Sequence, residues 1–172
     1  MGITNLDSLA LGGTLSVTGA STFSDVTSVT DNLSLSGTLA VTGATTLTGA
    51  VTATAGVQSA AVARTATADG TGTGTIAAGT SYVTVTSANA DHIIILPAPV
   101  VGNVIWLNVG ANGFELRSST PASIAINGGT GAGAESAIAA NSTVLAVCIS
   151  STAWKAIYLD ADSDVAKVEA AA

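Results

Sequence analysis

Seven large apolar residues recur at intervals of six near the start of this sequence: Leu11, Val17, Phe23, Val29, Leu35, Val41 and Leu47, with Ala53 continuing the series as a smaller side chain. A partial second row, Leu9, Leu15, Leu33 and Leu39, runs two residues ahead of the first. Six is a multiple of two, so every member of a row can face the same side of an extended chain. The interval does not fit the 3.6-residue period of a helix. The residues between are Thr, Ser and Gly, which favour strands and turns. A longer identity lies over this rhythm, since residues 11–23 match residues 35–47 at an offset of 24.

Short self-similar β units stack into solenoids or into intertwined fibres. A solenoid made by one chain needs broader rungs, and this stretch offers one apolar stripe with no second layer to cover it. The expectation is therefore an intertwined trimeric β-fibre stem over residues 9–53. Its interface stripe would be Leu11, Leu15, Val17, Phe23, Val29, Leu35, Leu39, Val41 and Leu47. The preceding residues 1–8 are too short to fold alone. Ile3, Thr4, Asn5 and Leu6 are the candidates for attachment to a partner surface, where such a segment gains order by docking.

Composition argues in the same direction. Charged residues are 9% of the chain and aromatic residues 3%, against roughly 25% charged in ordinary soluble domains. A monomer of Thr, Ser, Ala, Gly and Val has little to fill a wide core, and sharing small apolar residues between chains answers that shortage. The net charge is −7, and the only cations are Arg64, Arg117, Lys155 and Lys167. They are scattered, whereas phosphate neutralisation needs them clustered. Nucleic acid is thus not an expected partner, and neither is an anionic membrane surface. The most apolar window, residues 93–109, is interrupted by Pro97, Pro99, Gly102 and Asn103, well short of the roughly 20 residues of a membrane helix. Residues 1–7 have neither a basic region nor a long apolar stretch, so no signal peptide is expected. Cys148, the single cysteine, reads as a small buried hydrophobe.

An Ala-rich stretch and the alternating Gly of 70–74 mark a linker over residues 54–73. Beyond it, strand signals return at short, regular spacing: 74–77, 81–86, 92–96, 103–109, 114–118, 123–127, 143–150 and 154–159. Short strands at this density predict an antiparallel β-sandwich or barrel with a jelly-roll-like wrap over residues 74–172. The fold class is all-β. Only residues 134–140 and 164–172 suggest a turn or two of helix.

Motifs for chemistry are weak. Gly129-Thr130-Gly131-Ala132-Gly133-Ala134 matches the loose dinucleotide fingerprint, but about eight residues separate it from the next expected strand, leaving no room for the helix that the fingerprint requires. Asp160-Ala161-Asp162-Ser163-Asp164 begins like a calcium loop, yet Val165 and Ala171 stand where the EF-hand has Gly and Glu. His92 is the only histidine and opens an apolar strand, so neither a triad nor a zinc site has its parts. Carboxylates alone, Asp91, Glu115 or Glu135, are the remaining route to glycan cleavage. Trp106 and Trp154 read as core anchors, with sugar stacking as the functional alternative. The expectation is no catalytic residue, no cofactor and no metal.

The pattern L-x-G-T-L-x-V-T-G-x-x-T, present at 11–22 and 35–46, resembles the stem repeats of phage tail-fibre and head-fibre proteins. The later stretches at 93–99, 102–110 and 125–128 look like a β-domain found in small phage virion proteins. The resemblance implies a homotrimeric virion component on the outer surface of the particle, partnered by the major capsid protein or another virion protein. As a capsid-decoration or head-fibre protein it would attach by its N-terminus and project outward. The alternative is a tail-fibre or adhesin tip that binds host glycans.

Overall fold

The computed structural model describes residues 18, 20, 27–29, 33–55, 57–162 and 164–168. The chain divides into two units, 1–52 and 53–172.

Among the described residues of the first unit there is no strand, and every one of them is exposed in the single chain. A strand exists through its hydrogen-bonded neighbour, and the described residues of this unit have none in the single chain.

The second unit is almost entirely β. Its strands are β1 (Val62–Thr65), β2 (Tyr82–Thr86), β3 (Ile93–Ile95), β4 (Val104–Val109), β5 (Phe114–Arg117), β6 (Ala125–Ile126), β7 (Ser136–Ile138), β8 (Thr143–Ser150), β9 (Ala153–Leu159) and β10 (Val165–Lys167). The large sheet runs β1-β2-β4-β8-β9-β10, with β6 also paired to β9, and the small sheet runs β3-β5-β7.

The expectation of a wholly antiparallel domain is corrected here: both sheets are mixed. β1 with β2, β2 with β4, β3 with β5, and β6 with β9 are parallel pairs. The reason is the path of the chain. From β2 to β8 successive strands alternate between the large and the small sheet. β2 and β4, and likewise β3 and β5, are neighbours joined through a strand of the other sheet, which brings the chain back in the same direction; β5 and β7, joined through the two-residue β6, pair antiparallel. Parallel pairing always needs such a crossover, and here a strand serves where α/β proteins use a helix. The β1–β2 connection follows the same route, touching β3 through bridges at Thr67 to Ile93 and Thr75 to Ile95. Among the described residues, consecutive strands pair antiparallel only at the end of the chain, β8 with β9 through the tight turn at 151–152 and β9 with β10.

Four other expectations change. Residues 74–77, read as a strand, hold the end of a 3-10 turn and one bridge from Thr75 to Ile95. β1 and the Thr67 bridge lie inside the stretch 54–73 read as linker, so the folded unit takes in part of it. Residues 136–138 form a strand against β5 instead of a helical turn, with Ser136 and Ile138 buried and Ala137 exposed. Residues 165–167 pair with β9, where helix was suggested. Among the described residues the helix content is one 3-10 turn at Gly72–Gly74.

Both sheets feed one buried cluster. β2, β4, β8 and β9 contribute Val83, Val85, Ile105, Leu107, Val144, Ala146 and Trp154, while the small sheet contributes Ile94, Phe114, Leu116 and Ile138. Cys148 is buried among them, as its sequence context suggested. Asn127 closes the domain. It holds a left-handed conformation at φ 52 in the turn after β6, which its short polar side chain tolerates. Its Nδ2 donates to the carbonyls of Ala156 at 2.9 Å and Val168 at 2.6 Å, and its Oδ1 accepts from the Ala156 N–H at 3.0 Å. One side chain thus stands in for a missing stretch of strand beside β9. Gly70, at φ +75, passes so close to the small sheet that a Cβ there would lie 2.7 Å from the Ile93 and Ile95 side chains.

Candidate functional site

The surface that stands out in the second unit is the outer face of the large sheet. Alternation makes it legible strand by strand. In β4, Ile105, Leu107 and Val109 point into the core and Val104, Trp106 and Asn108 point out. In β9, Trp154 and Ala156 are buried while Lys155, Ile157 and Leu159 are exposed. Register joins the outward residues into rows. Tyr82 pairs with Trp106, Trp106 with Leu145, and Leu145 with Ile157. The flanking rows are Thr84, Asn108, Thr143, Leu159 and Val165 on one side and Val104, Val147 and Lys155 on the other. The middle of this face is apolar, with Trp106 44% and Ile157 49% exposed. A shallow hollow with apolar walls lies between Trp106, Leu145, Ile157 and Leu159.

The two tryptophans therefore part company. Trp154 is fully buried, as expected of a core anchor, but Trp106 is not a core residue. The sequence held a signal for this. Asn108 shares the phase of Trp106, and Lys155 shares the phase of Ile157 and Leu159, so the polar residue in each strand marks the outer face. Large apolar side chains in both phases hid it.

At the β2 edge of this face the neighbours turn polar. An open hollow is lined by Val57, Gln58, Ser59, Ser81, Tyr82, Val104 and Trp106. Ser81 donates its hydroxyl to Ser59 at 3.1 Å.

The expected stem stripe falls in the first unit. Val29, Leu35, Leu39, Val41 and Leu47 are between 49% and 65% exposed in the single chain. Leu11, Leu15, Val17 and Phe23 lie outside the described residues, as do Ile3, Thr4, Asn5 and Leu6 of the attachment segment.

Of the residues weighed for chemistry, His92 and Glu135 have structural partners. His92 places Nδ1 3.2 Å from the Ala66 carbonyl oxygen. Glu135 forms an ion pair with Arg117. Glu115 sits beside β3, and its carboxyl is pushed above the ordinary glutamate value, first by partial burial and then by the negative charge of Asp91. Asp69 is held below the ordinary aspartate value by the backbone N–H and then the hydroxyl of Thr71. In the Asp160 loop, Asp160 Oδ1 accepts the N–H groups of Asp162 at 3.1 Å and Asp164 at 3.0 Å, so that carboxylate folds its own turn. Among the described residues no three His, Cys, Asp or Glu side chains converge on a metal position. The glycine-rich loop at 129–134 leads into β7 and not into a helix, so it lacks the helix N-terminus that would receive a phosphate. Among the described residues no helix is long and apolar enough to cross a membrane.

Comparison with protein-family models, curated proteins and solved structures gives no match.

Proposed function

We propose that this chain is a structural, non-enzymatic virion protein of a tailed bacteriophage, a homotrimer that decorates the capsid or forms a head fibre. The observation that carries the reading is the first unit. Its apolar residues keep a six-residue register, yet none of its described residues is buried in the single chain. An apolar register without an internal core is what chains that complete one another require. Three copies would set their stripes on a common axis as a stem. Residues 1–8 would dock on the major capsid protein or another virion protein, and the β-domain, arranged as a sandwich-like wrap, would stand outward. The acidic charge of the chain and its scarcity of cations suit an outer particle surface that repels its neighbours.

A second reading is favoured by one local feature. Tyr82 and Trp106 are register neighbours beside the Gln58 amide and the Ser59 and Ser81 hydroxyls. Aromatic faces next to amides and hydroxyls are the ingredients of a sugar-stacking platform, which would suit a tail-fibre or adhesin tip that binds host glycans.

Counting the protein on purified particles tests the choice. Copies in proportion to the capsomers support decoration. A few copies confined to the tail would replace it with the fibre-tip reading.

A further inference from the structure

We infer that the outer face of the large sheet, centred on Trp106, Leu145 and Ile157, is a contact surface between copies of this chain, closing three C-terminal domains around one axis. The inference rests on the trimeric reading of residues 1–52 and extends it to the second unit.

Charge selects a like copy as the occupant. The chain carries 11 acidic residues and a net charge of −7, so identical chains repel. The three outward rows, from Tyr82 to Val165, contain no Asp or Glu. By register two cations fall on these rows, Lys155 at the edge and Lys167 on the outermost strand opposite Ile157, and the acids Asp160, Asp162 and Asp164 begin only beyond the end of β9. This face is where two copies can approach without meeting each other's carboxylates. A basic partner would find no acidic residue on these rows, and an acidic one only the two lysine positions at their rim, 155 and 167.

Size agrees. Five adjacent strands at about 4.8 Å spacing and about 20 Å length project roughly 500 Å². Side-chain relief brings that towards the ~800 Å² that each partner contributes to a standard interface. Three such faces turned inward would each cover part of two neighbours, as the sheets of a prism do. The tether helps as well. Residues 53–61, nine residues preceding β1, reach at most about 30 Å. A stem that gathers three chains therefore holds their domains at an effective concentration near the millimolar range, where even a modest face contact closes.

The test uses the full chain and its two tryptophans as reporters. Trp154 is buried and Trp106 is exposed only if the face is free. Sedimentation velocity gives the oligomeric state. Acrylamide quenching of wild type against Trp106→Phe isolates the Trp106 emission. The expected result is a trimer in which Trp106 is shielded, together with an Ile157→Glu variant that remains trimeric through its stem but exposes Trp106. The face contact in that variant should weaken at least about tenfold, since a charge would be buried without a partner.

A trimer with freely quenched Trp106 would overturn the inference and leave the stem reading standing. A monomer would overturn both. Shielding that survives Ile157→Glu would place the cover elsewhere, and shielding seen only after host polysaccharide is added would assign the face to glycans. Either result removes the contact between copies.

Discussion

Residues 53–172 bury Trp154, Phe114, Ile94 and Leu107 completely, whereas no described residue of 1–52 is buried. Both units are rich in Thr, Ser, Gly and Ala, so bulk composition does not separate them. The difference lies in how apolar residues are arranged. In the C-terminal unit, two apolar phases supplied by two sheets meet, and each covers the other. The N-terminal unit has one principal apolar row with a period of six residues, and nothing covers its described members in the single chain. A chain with two facing layers can build a core alone. A chain with one stripe can do so only by borrowing the missing layers, and that dependence is the physical basis of the assembly proposed here.

The strongest test of the contrast removes the largest buried side chain. Trp154→Ala should cost the C-terminal domain about 3–5 kcal/mol through lost burial and a residual cavity. Thermal unfolding followed by circular dichroism would read it. Trp154→Phe should cost far less, because the indole N–H has no hydrogen-bond partner to lose. Equal losses would mean that the ring is not held by packing alone.

In the N-terminal unit the corresponding change acts on assembly and not on the domain. Val29→Asp or Leu35→Asp should weaken the trimer by about 3 kcal/mol or more, since three like charges would share the axis. Ser28→Asp or Ser36→Asp, off the stripe, should be mild. Sedimentation equilibrium would compare them, and the C-terminal domain should still melt cooperatively, lower only by what its contact with other copies contributes. Similar behaviour at both kinds of position would mean that the six-residue register carries no contact.

A smaller effect is expected at the polar clamp of the folded unit. Asn127→Ala removes three hydrogen bonds to Ala156 and Val168 and puts a Cβ-only side chain at φ 52. A loss of about 2 kcal/mol in denaturant unfolding is expected. A loss near zero would show that the β9 edge closes without it.

The smallest expected change is electrostatic. Burial, and then Asp91, push the Glu115 carboxyl above its ordinary value. The folded state thus binds this proton more tightly than the unfolded chain. Its contribution is fully present below the unfolded pKa, about 4.3, and is lost as pH rises through the raised folded value. Glu115→Gln should flatten that decline and stabilise the domain slightly at neutral pH. The carboxyl is partly solvated, so the gain should be only a few tenths of a kcal/mol. A steeper pH dependence in the variant would contradict the assignment.

Strand positions in the C-terminal unit were largely readable, because alternation and turn residues are local signals. β2, β4, β5, β8 and β9 fall where inward apolar residues alternate with outward ones between turns, and β3 falls on the apolar run Ile93–Ile95. β7 and β10 were not readable. Ser136-Ala137-Ile138 and Val165-Ala166-Lys167 carry too few β-branched residues to declare a strand, and it is the open edges of β5 and β9 that make them one. The candidate surface was half readable. Asn108 and Lys155 mark the outer phase, but without register nothing aligns Trp106 with Leu145 and Ile157.

The sequence alone determined an all-β chain, an apolar register of six in its first third, an excess of acid and a shortage of cations. Those are properties of periodicity and composition, which need no partner to be read. Only the tertiary structure decided that the sheets are mixed, that Asn127 stands in for a strand, and that Trp106 faces out while Trp154 faces in. Each of these depends on which strand lies beside which, and the chain reaches that pairing by crossing between two sheets at every step from β2 to β8.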